Sequence, residues 1–399
     1  MTDVAEAESL ILEHMQSLSS VVRPLSETIG CVLQEEVLAE RDLPPFNRVT
    51  MDGIAIKFND WEQGLRRYHL VGSQGAGVQP LTDIKNSECI KIMTGAMLPD
   101  TVDTVIPIEQ VTINQKNVLV ESKISISKGQ FIHSRGSDRK IGSNLLSPGN
   151  LIGPPEMAIL ASAGYSKIKV SESPLVACIS TGDELVNLEE KILPHQIRSS
   201  NEYAIEASLE RHCRAKVTRE NLKDDPKVML KKISDLHDKS DVVILSGGVS
   251  MGDYDFVPEV LNKLGARPIF HRIEQRPGRP MWFGISKDHK PIFGLPGNPV
   301  STLVCLTRYV IPGLQHAMGL HHKQPETTYL AEEVVFKANL AFFLPVKLKA
   351  GRNGISLAHP CPTNTSGDFV SLAQTTGFIE LPRKQNRFSE GTVTKLFRW

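Results

Sequence analysis

Three segments of this chain share one design: an apolar run, a glycine-rich loop, then the start of a helical stretch. They are Ala177-Cys178-Ile179-Ser180-Thr181-Gly182-Asp183-Glu184-Leu185, Val243-Ile244-Leu245-Ser246-Gly247-Gly248-Val249-Ser250-Met251-Gly252-Asp253 and Ile292-Phe293-Gly294-Leu295-Pro296-Gly297-Asn298-Pro299-Val300-Ser301. Repeated alternation of strand and helix requires a mostly parallel sheet, covered by helices on both faces. Loops leaving the carboxyl ends of parallel strands converge on one crevice. Glycines let backbone N–H groups approach a ligand, and a helix N-terminus adds positive potential. In the third segment Asn298 has the character of an N-cap and Pro299 that of a first helical residue. One such loop alone is an ordinary tight turn. Three in one sheet predict an anion-binding crevice, with Thr181, Gly182, Ser246, Gly247, Gly248, Ser250, Pro296, Gly297 and Asn298 as its candidate contacts.

The same loops carry Asp183, Glu184, Asp253 and Asp255. Carboxylates repel a phosphate unless a cation lies between, so their crowding predicts a divalent metal such as Mg²⁺, with Glu184 and Asp255 as its candidate ligands. Arg272, Arg276 and Arg279 follow. The prolines and glycine of Gln275-Arg276-Pro277-Gly278-Arg279-Pro280 stiffen a loop that presents two guanidinium groups, a shape suited to tetrahedral oxyanions. No G-x-G-x-x-G follows a candidate strand and no G-x-x-x-x-G-K-[ST] occurs, which excludes a nicotinamide fold and a P-loop kinase.

The periodicity around this core sets out four domains. Residues 1–45 and 141–170 read as a helical N-terminal domain, with Leu10, Ile11, Met15 and Leu18 on one helical face and Pro44-Pro45 as a boundary. Residues 46–140 contain short β-like runs between Gly and Asp turns and read as an inserted β domain. Residues 171–318 are the α/β domain, with strands expected at Leu175–Ile179, Val242–Leu245, Pro268–Arg272 and Ile292–Leu295. Residues 319–399 return to β texture and suggest a small barrel.

Lys+Arg and Asp+Glu are balanced at 45 each, which argues against a nucleic-acid binder but leaves room for a small anionic substrate. The six cysteines form no C-x-x-C pair, so a zinc site or disulfide framework is not expected. Glu6, Glu8 and Glu13 interrupt any N-terminal apolar stretch and no run of about 18 apolar residues occurs, so neither a secretory leader nor a membrane span is expected. A cytoplasmic protein is the consequent expectation.

Other short motifs lie in the β insertion: Thr50-Met51-Asp52-Gly53, Met93-Thr94-Gly95-Ala96 and Gly136-Ser137-Asp138 after Arg135. On physics alone these are turn residues. Taken in order with Ser180–Leu185, Ser246–Ser250, Pro277–Pro280 and Gly294–Ser301, they resemble the molybdopterin molybdenumtransferase family, that is, bacterial MoeA proteins and the C-terminal domain of gephyrin. The resemblance runs over nearly the whole chain. It implies that the α/β domain binds molybdopterin. It also implies an elongated homodimer with an active site shared between subunits. The implied substrates are adenylyl-molybdopterin and molybdate, and the implied products are molybdenum cofactor and AMP, with Mg²⁺ helping. Other proteins of molybdenum cofactor biosynthesis and recipient molybdoenzymes are the implied partners. Carried over by motif, Asp52, Thr94, Asp138, Glu184 and Asp255 stand as functional carboxylates and hydroxyl, and Arg135 and Ser366 as anion contacts. Arg276 and Arg279 occupy positions where the family usually has lysines. A related pterin-binding group of the competence-damage type is disfavoured by the Thr50–Gly53 and Met93–Ala96 motifs.

Overall fold

The computed structural model describes residues 1–248, 257–322, 324–351 and 354–399. It divides into two compact units, Met1–Glu35 with Pro148–Met157 and Ser166–Trp399, and Glu36–Ser147 with Ala158–Tyr165.

The first unit is built around a six-stranded sheet. Its strand order is Lys216–Leu222, Leu175–Thr181, Val242–Ser246, Pro291–Leu295, Trp282–Ile285, Arg267–His271. The first four strands are parallel, and Trp282–Ile285 runs antiparallel to both neighbours. Alternation of side chains divides the apolar residues between two cores. Val176, Cys178, Val242, Ile244 and Phe293 enter one, where helix Asn201–Cys213 contributes Ile205, Leu209 and Cys213. Ala177, Ile179, Val243, Leu245 and Ile292 enter the other, under Met229 and Ile233 of helix Pro226–Asp238. Each fully buried side chain of this size contributes about 1.5–3 kcal/mol, so the sheet is fixed from both sides. Helix Pro226–Asp238 starts where it does because Asp225 accepts from the Lys227 and Val228 amides at 2.9 and 3.2 Å, with Pro226 at its first turn.

Two local expectations change. After Gly182 no helix begins: Leu185–Val186 pairs in parallel with Ile197–Arg198, and the helix starts only at Asn201. Asn298 does sit at the N-cap of helix Pro299–Cys305, but its side chain caps nothing. The helix then passes through a π-helical turn, Leu306–Val310, into Ile311–Ala317.

The C-terminal part of the first unit is a closed five-stranded barrel. Ala341–Ala350 pairs with both Ser356–Pro360 and Gly377–Leu381, and Glu326–Leu330 and Val393–Arg398 complete the ring. Gln275–Arg276, from the arginine loop, adds to Ala341–Ala350 as a short parallel strand. At the other end of the chain, Asp3 caps helix Val4–His14 in a capping box with Glu6. The helix buries Val4, Ala7 and Ile11 in the core that lines the first face of the sheet. Strand Ser20–Pro24 pairs antiparallel with Lys167–Ser171, so strands accompany the helices of this region. Arg308, on the π turn, is 2% exposed and is held by Glu8 at 2.8 Å and Glu380 at 3.0 Å. It thereby ties the N-terminal helix and the barrel to the α/β part.

The second unit holds a mixed six-stranded sheet in the order Thr104–Pro107, Gly53–Ile56, Glu88–Ile92, Arg67–Gln74, Asn117–Val120, Val111–Asn114. Ile54 and Ile56 face one apolar cluster and Ala55 the other, the strand alternation expected of a sheet covered on both sides. All six cysteines are free thiols. Among the described residues no helix is long and apolar enough to cross a membrane.

Candidate functional site

Register brings the three glycine loops together. Ser180 lies opposite Ser246, and Ser246 opposite Leu295, so the three parallel strands end level and release their loops at one edge. The loops line a cavity of about 1600 Å³ together with the arginine loop and the barrel segments around Phe336, Phe342 and Ser366. Every residue of this cavity belongs to the first unit.

The glycines are needed for close packing here. Gly247 has φ +96°, and a Cβ there would lie 2.7 Å from the Thr181 carbonyl oxygen. A Cβ at Gly182 would lie 2.7 Å from a Glu184 carboxylate oxygen, so that carboxylate sits directly over the first loop. Thr181 is 5% exposed, and its Oγ1 has no hydrogen-bond partner among the described residues. A buried hydroxyl without a partner is costly, and an oxyanion on the loops would satisfy it.

Arg276 and Arg279 line the cavity and are exposed, whereas Arg272 is not among its lining residues. Their loop is braced from beneath. Buried Gln275 donates from Nε2 to the Pro277 carbonyl at 3.0 Å and accepts from the Tyr309 hydroxyl. Gly278 packs so closely on Cys305 that a Cβ there would lie 2.5 Å from the thiol. Arg279 directs Nε and Nη2 at the Met1 sulfur, 3.3 and 3.1 Å away, a weak acceptor.

Asn298 Nδ2 donates to Ser366 Oγ at 2.6 Å, and the Val300 amide donates to the Ser366 carbonyl at 3.0 Å. This explains why Asn298 leaves the helix uncapped: its side chain reaches to the barrel instead. Pro296, Gly297 and Gly248 also line the cavity. Asp183 is exposed and accepts from the Asp224 amide at 3.3 Å. Ser250, Asp253 and Asp255 lie outside the described residues.

Asp52, Thr94, Arg135 and Asp138 belong to the second unit. Thr94 donates to Asp52 Oδ1 twice, from its hydroxyl at 2.6 Å and its amide at 2.7 Å, and the two bonds, hydroxyl first, hold the Asp52 carboxyl below the usual carboxylate range. Asp138 is 2.8 Å from His133 Nε2, and Arg48 approaches His133 Nδ1 at 3.1 Å. Arg135, expected as an anion contact, is engaged by Asp42 at 2.9 Å.

Sequence patterning did not single out Ser199, Asn201 and Glu202. Ser199-Ser200-Asn201 at a helix start has the look of ordinary capping, yet Ser200 makes no side-chain cap bond. Asn201 Nδ2 instead bonds Ser246 Oγ at 2.9 Å and the Gly297 carbonyl at 2.8 Å.

Comparison with known proteins accords with this arrangement. Family models described as the MoeA N-terminal region (domain I and II), a probable molybdopterin binding domain and the MoeA C-terminal region (domain IV) match residues 2–164, 177–316 and 327–396. A molybdopterin molybdenumtransferase from Synechocystis is 36% identical over 400 residues, covering 100% of both chains. The chain belongs to the MoeA family of molybdopterin molybdenumtransferases. A second member, from Staphylococcus epidermidis, is 31% identical across 98% of this chain and 94% of its own. A solved MoeA structure from Pyrococcus horikoshii, described as a molybdopterin biosynthesis protein, superposes with TM-score 0.80 at 29% identity, covering 100% of this chain and 99% of that one. A second solved MoeA from the same organism, at 24% identity and TM-score 0.84, shares the fold over 100% of both chains. The three family models thus cover the N-terminal region, the α/β part and the barrel in the chain order seen here.

Proposed function

We propose that this MoeA-family transferase inserts molybdenum into molybdopterin, with adenylyl-molybdopterin and molybdate as substrates and AMP as the second product. The observation that carries the reading is the convergence of three glycine loops, the orphaned Thr181 hydroxyl and two arginines on one cavity of about 1600 Å³. Backbone N–H groups of the loops hold the phosphates. Arg276 and Arg279 hold oxyanions and neutralise charge that develops as the phosphoanhydride breaks. Ser366, positioned by Asn298, closes the barrel side. The dithiolene sulfurs of the pterin are soft donors suited to molybdenum.

Mg²⁺ fits the donor chemistry in part. Among the described residues no cluster of three His, Cys, Asp or Glu side chains forms a closed metal cage. Mg²⁺ needs only one or two carboxylates when phosphate oxygens and water complete its shell, and Glu184, with Asp255 as a second candidate, would hold it. When bound it would supply charge neutralisation at the phosphates.

We place the protein in the cytoplasm as a homodimer. In that dimer Asp52, Thr94, Asp138 and Arg135 of one subunit complete the cavity of the other. Other molybdenum cofactor biosynthesis proteins deliver its substrate and recipient molybdoenzymes take its product. Assay of AMP release from adenylyl-molybdopterin, with molybdate added or withheld, tests the reading. Molybdate-dependent release is the expected result, and absent release or release indifferent to molybdate would overturn it.

A further inference from the structure

Beneath the cavity lies a buried carboxylate that the proposed reaction does not use. Glu202 is 5% exposed, and its Oε2 accepts from Ser180 Oγ at 2.9 Å and from Ser199 Oγ at 2.6 Å. The preceding residue, Asn201, spends both hydrogens of its amide, one on Ser246 Oγ and one on the Gly297 carbonyl. Ser180 precedes Thr181-Gly182 in the first loop, Ser246 precedes Gly247-Gly248 in the second, and Gly297 lies in the third. Two adjacent side chains at the start of one helix therefore reach all three loops.

These loops leave three different strands, and the sheet ladder ends where they begin. Ser180 and Ser246 are still paired with each other in the ladder, so Glu202 and Asn201 grip the roots of the first and second loops, and Asn201 reaches past the ladder to Gly297 in the third. Asn201 joins the second loop to the third, and Glu202 joins the first to the segment that precedes the helix. Helix Asn201–Cys213 is itself fixed by Ile205, Leu209 and Cys213 in the core, so both side chains are anchored on a rigid element. A carboxylate accepting from two hydroxyls, with burial excluding water, is a directional fastener.

We infer that Ser199, Asn201 and Glu202 form a clasp whose role is to hold the three glycine loops at one spacing for the anionic substrate. They are positioning residues, since they act through Ser180, Ser246 and Gly297. The inference rests on the reading of the cavity as the molybdopterin site. Misplacing binding groups by about 1 Å costs roughly 100-fold in rate, so a loosened clasp should be felt in catalysis before it is felt in folding.

The test pairs backbone amide exchange, read by mass spectrometry, with steady-state AMP release in full-length protein. Asn201→Ala should speed exchange in residues 246–248 and 297–298 and spare 180–184. Glu202→Gln, which keeps shape but replaces one acceptor oxygen by a donor, should speed exchange in 180–184. Both should raise KM for adenylyl-molybdopterin by roughly 10-fold to 100-fold, while the thermal midpoint falls by no more than about 4 °C. Exchange that is unaltered in these loops, or raised uniformly along the chain, would overturn the clasp. So would loop-selective loosening with an unchanged KM. Wild-type protein that releases no AMP would defeat the proposed reaction instead, and the exchange pattern would still decide whether the clasp exists.

Discussion

The amide of Asn298 donates to the hydroxyl of Ser366 across 2.6 Å, joining the third glycine loop to the barrel. A hydrogen bond of this kind contributes about 0.5–1.5 kcal/mol, up to roughly a tenfold effect on binding. Asn298→Ala and Ser366→Ala should each raise KM for adenylyl-molybdopterin by up to about tenfold, and the double variant should be little worse than either alone. Fully additive losses in that double-mutant cycle would show that the two residues act separately.

Arg276 and Arg279 present two exposed guanidinium groups to the cavity from one stiff loop. Arg279→Lys should retain measurable activity, because the charge persists. Arg279→Ala should raise the molybdate concentration needed for half-maximal AMP release. A molybdate dependence that neither substitution alters would assign the loop to packing alone.

Subunit mixing tests whether the cavity is completed by a second chain. Asp52→Ala and Asp255→Ala proteins, each inactive alone, are mixed and allowed to exchange subunits. In a heterodimer with shared sites, one site carries both lesions and the other neither. Random assortment makes about half the dimers heterodimers, so activity should recover to roughly a quarter of wild type. With exchange verified by mass spectrometry, no recovery would place each site within one chain.

Arg308 is an internal cation shared by two carboxylates. It is buried between Glu8 and Glu380, so Arg308→Met leaves two carboxylates without their cation and should cost about 3–5 kcal/mol in denaturant unfolding. Burial would raise the Glu8 pKa, but the Arg308 hydrogen bond and charge more than offset it, and the net shift is downward. A carboxylate with a depressed folded-state pKa contributes stability that is present above its unfolded value and lost as pH falls through the folded one. The variant should therefore lose part of the acid-side slope of the stability profile, and an unchanged slope would remove Glu8 from that account.

Legibility in the sequence followed periodicity. Strand Val242–Ser246 is buried throughout, so an apolar run and its glycine loop announced it. Strand Lys216–Leu222 escaped because it is an edge, where Arg219 pairs with Glu206 and Glu220 with Lys232 on the two flanking helices and the charges blur the apolar pattern. Trp282–Ile285 escaped because the preceding Pro-Gly-Arg-Pro segment claimed the local signal for a loop. At the site, the glycines and arginines were visible because their chemistry is local. Asn201 and Glu202 were not, since their partners lie 45 and 96 residues away for Asn201 and 22 away for the more distant partner of Glu202. Asn298 illustrates the same limit: its position before Pro299 was readable, but its attachment to Ser366 depends on how the barrel packs.

The short strand Gln275–Arg276 is laid in register against Ala341–Phe342 of the barrel, and the Ala341 amide donates to the Glu274 carbonyl at 2.9 Å. The arginine loop thus takes its alignment from a barrel strand that begins about 65 residues after it. The barrel is therefore poorly suited to exchange as a module: grafting a relative's barrel onto this α/β domain would shift the frame of the arginines even if every residue of the loop were retained. Variation in the barrel strand Ala341–Ala350 and in the arginine loop should accordingly be inherited together, which makes chimeras cut between residues 318 and 341 a poor starting point for altering oxyanion preference.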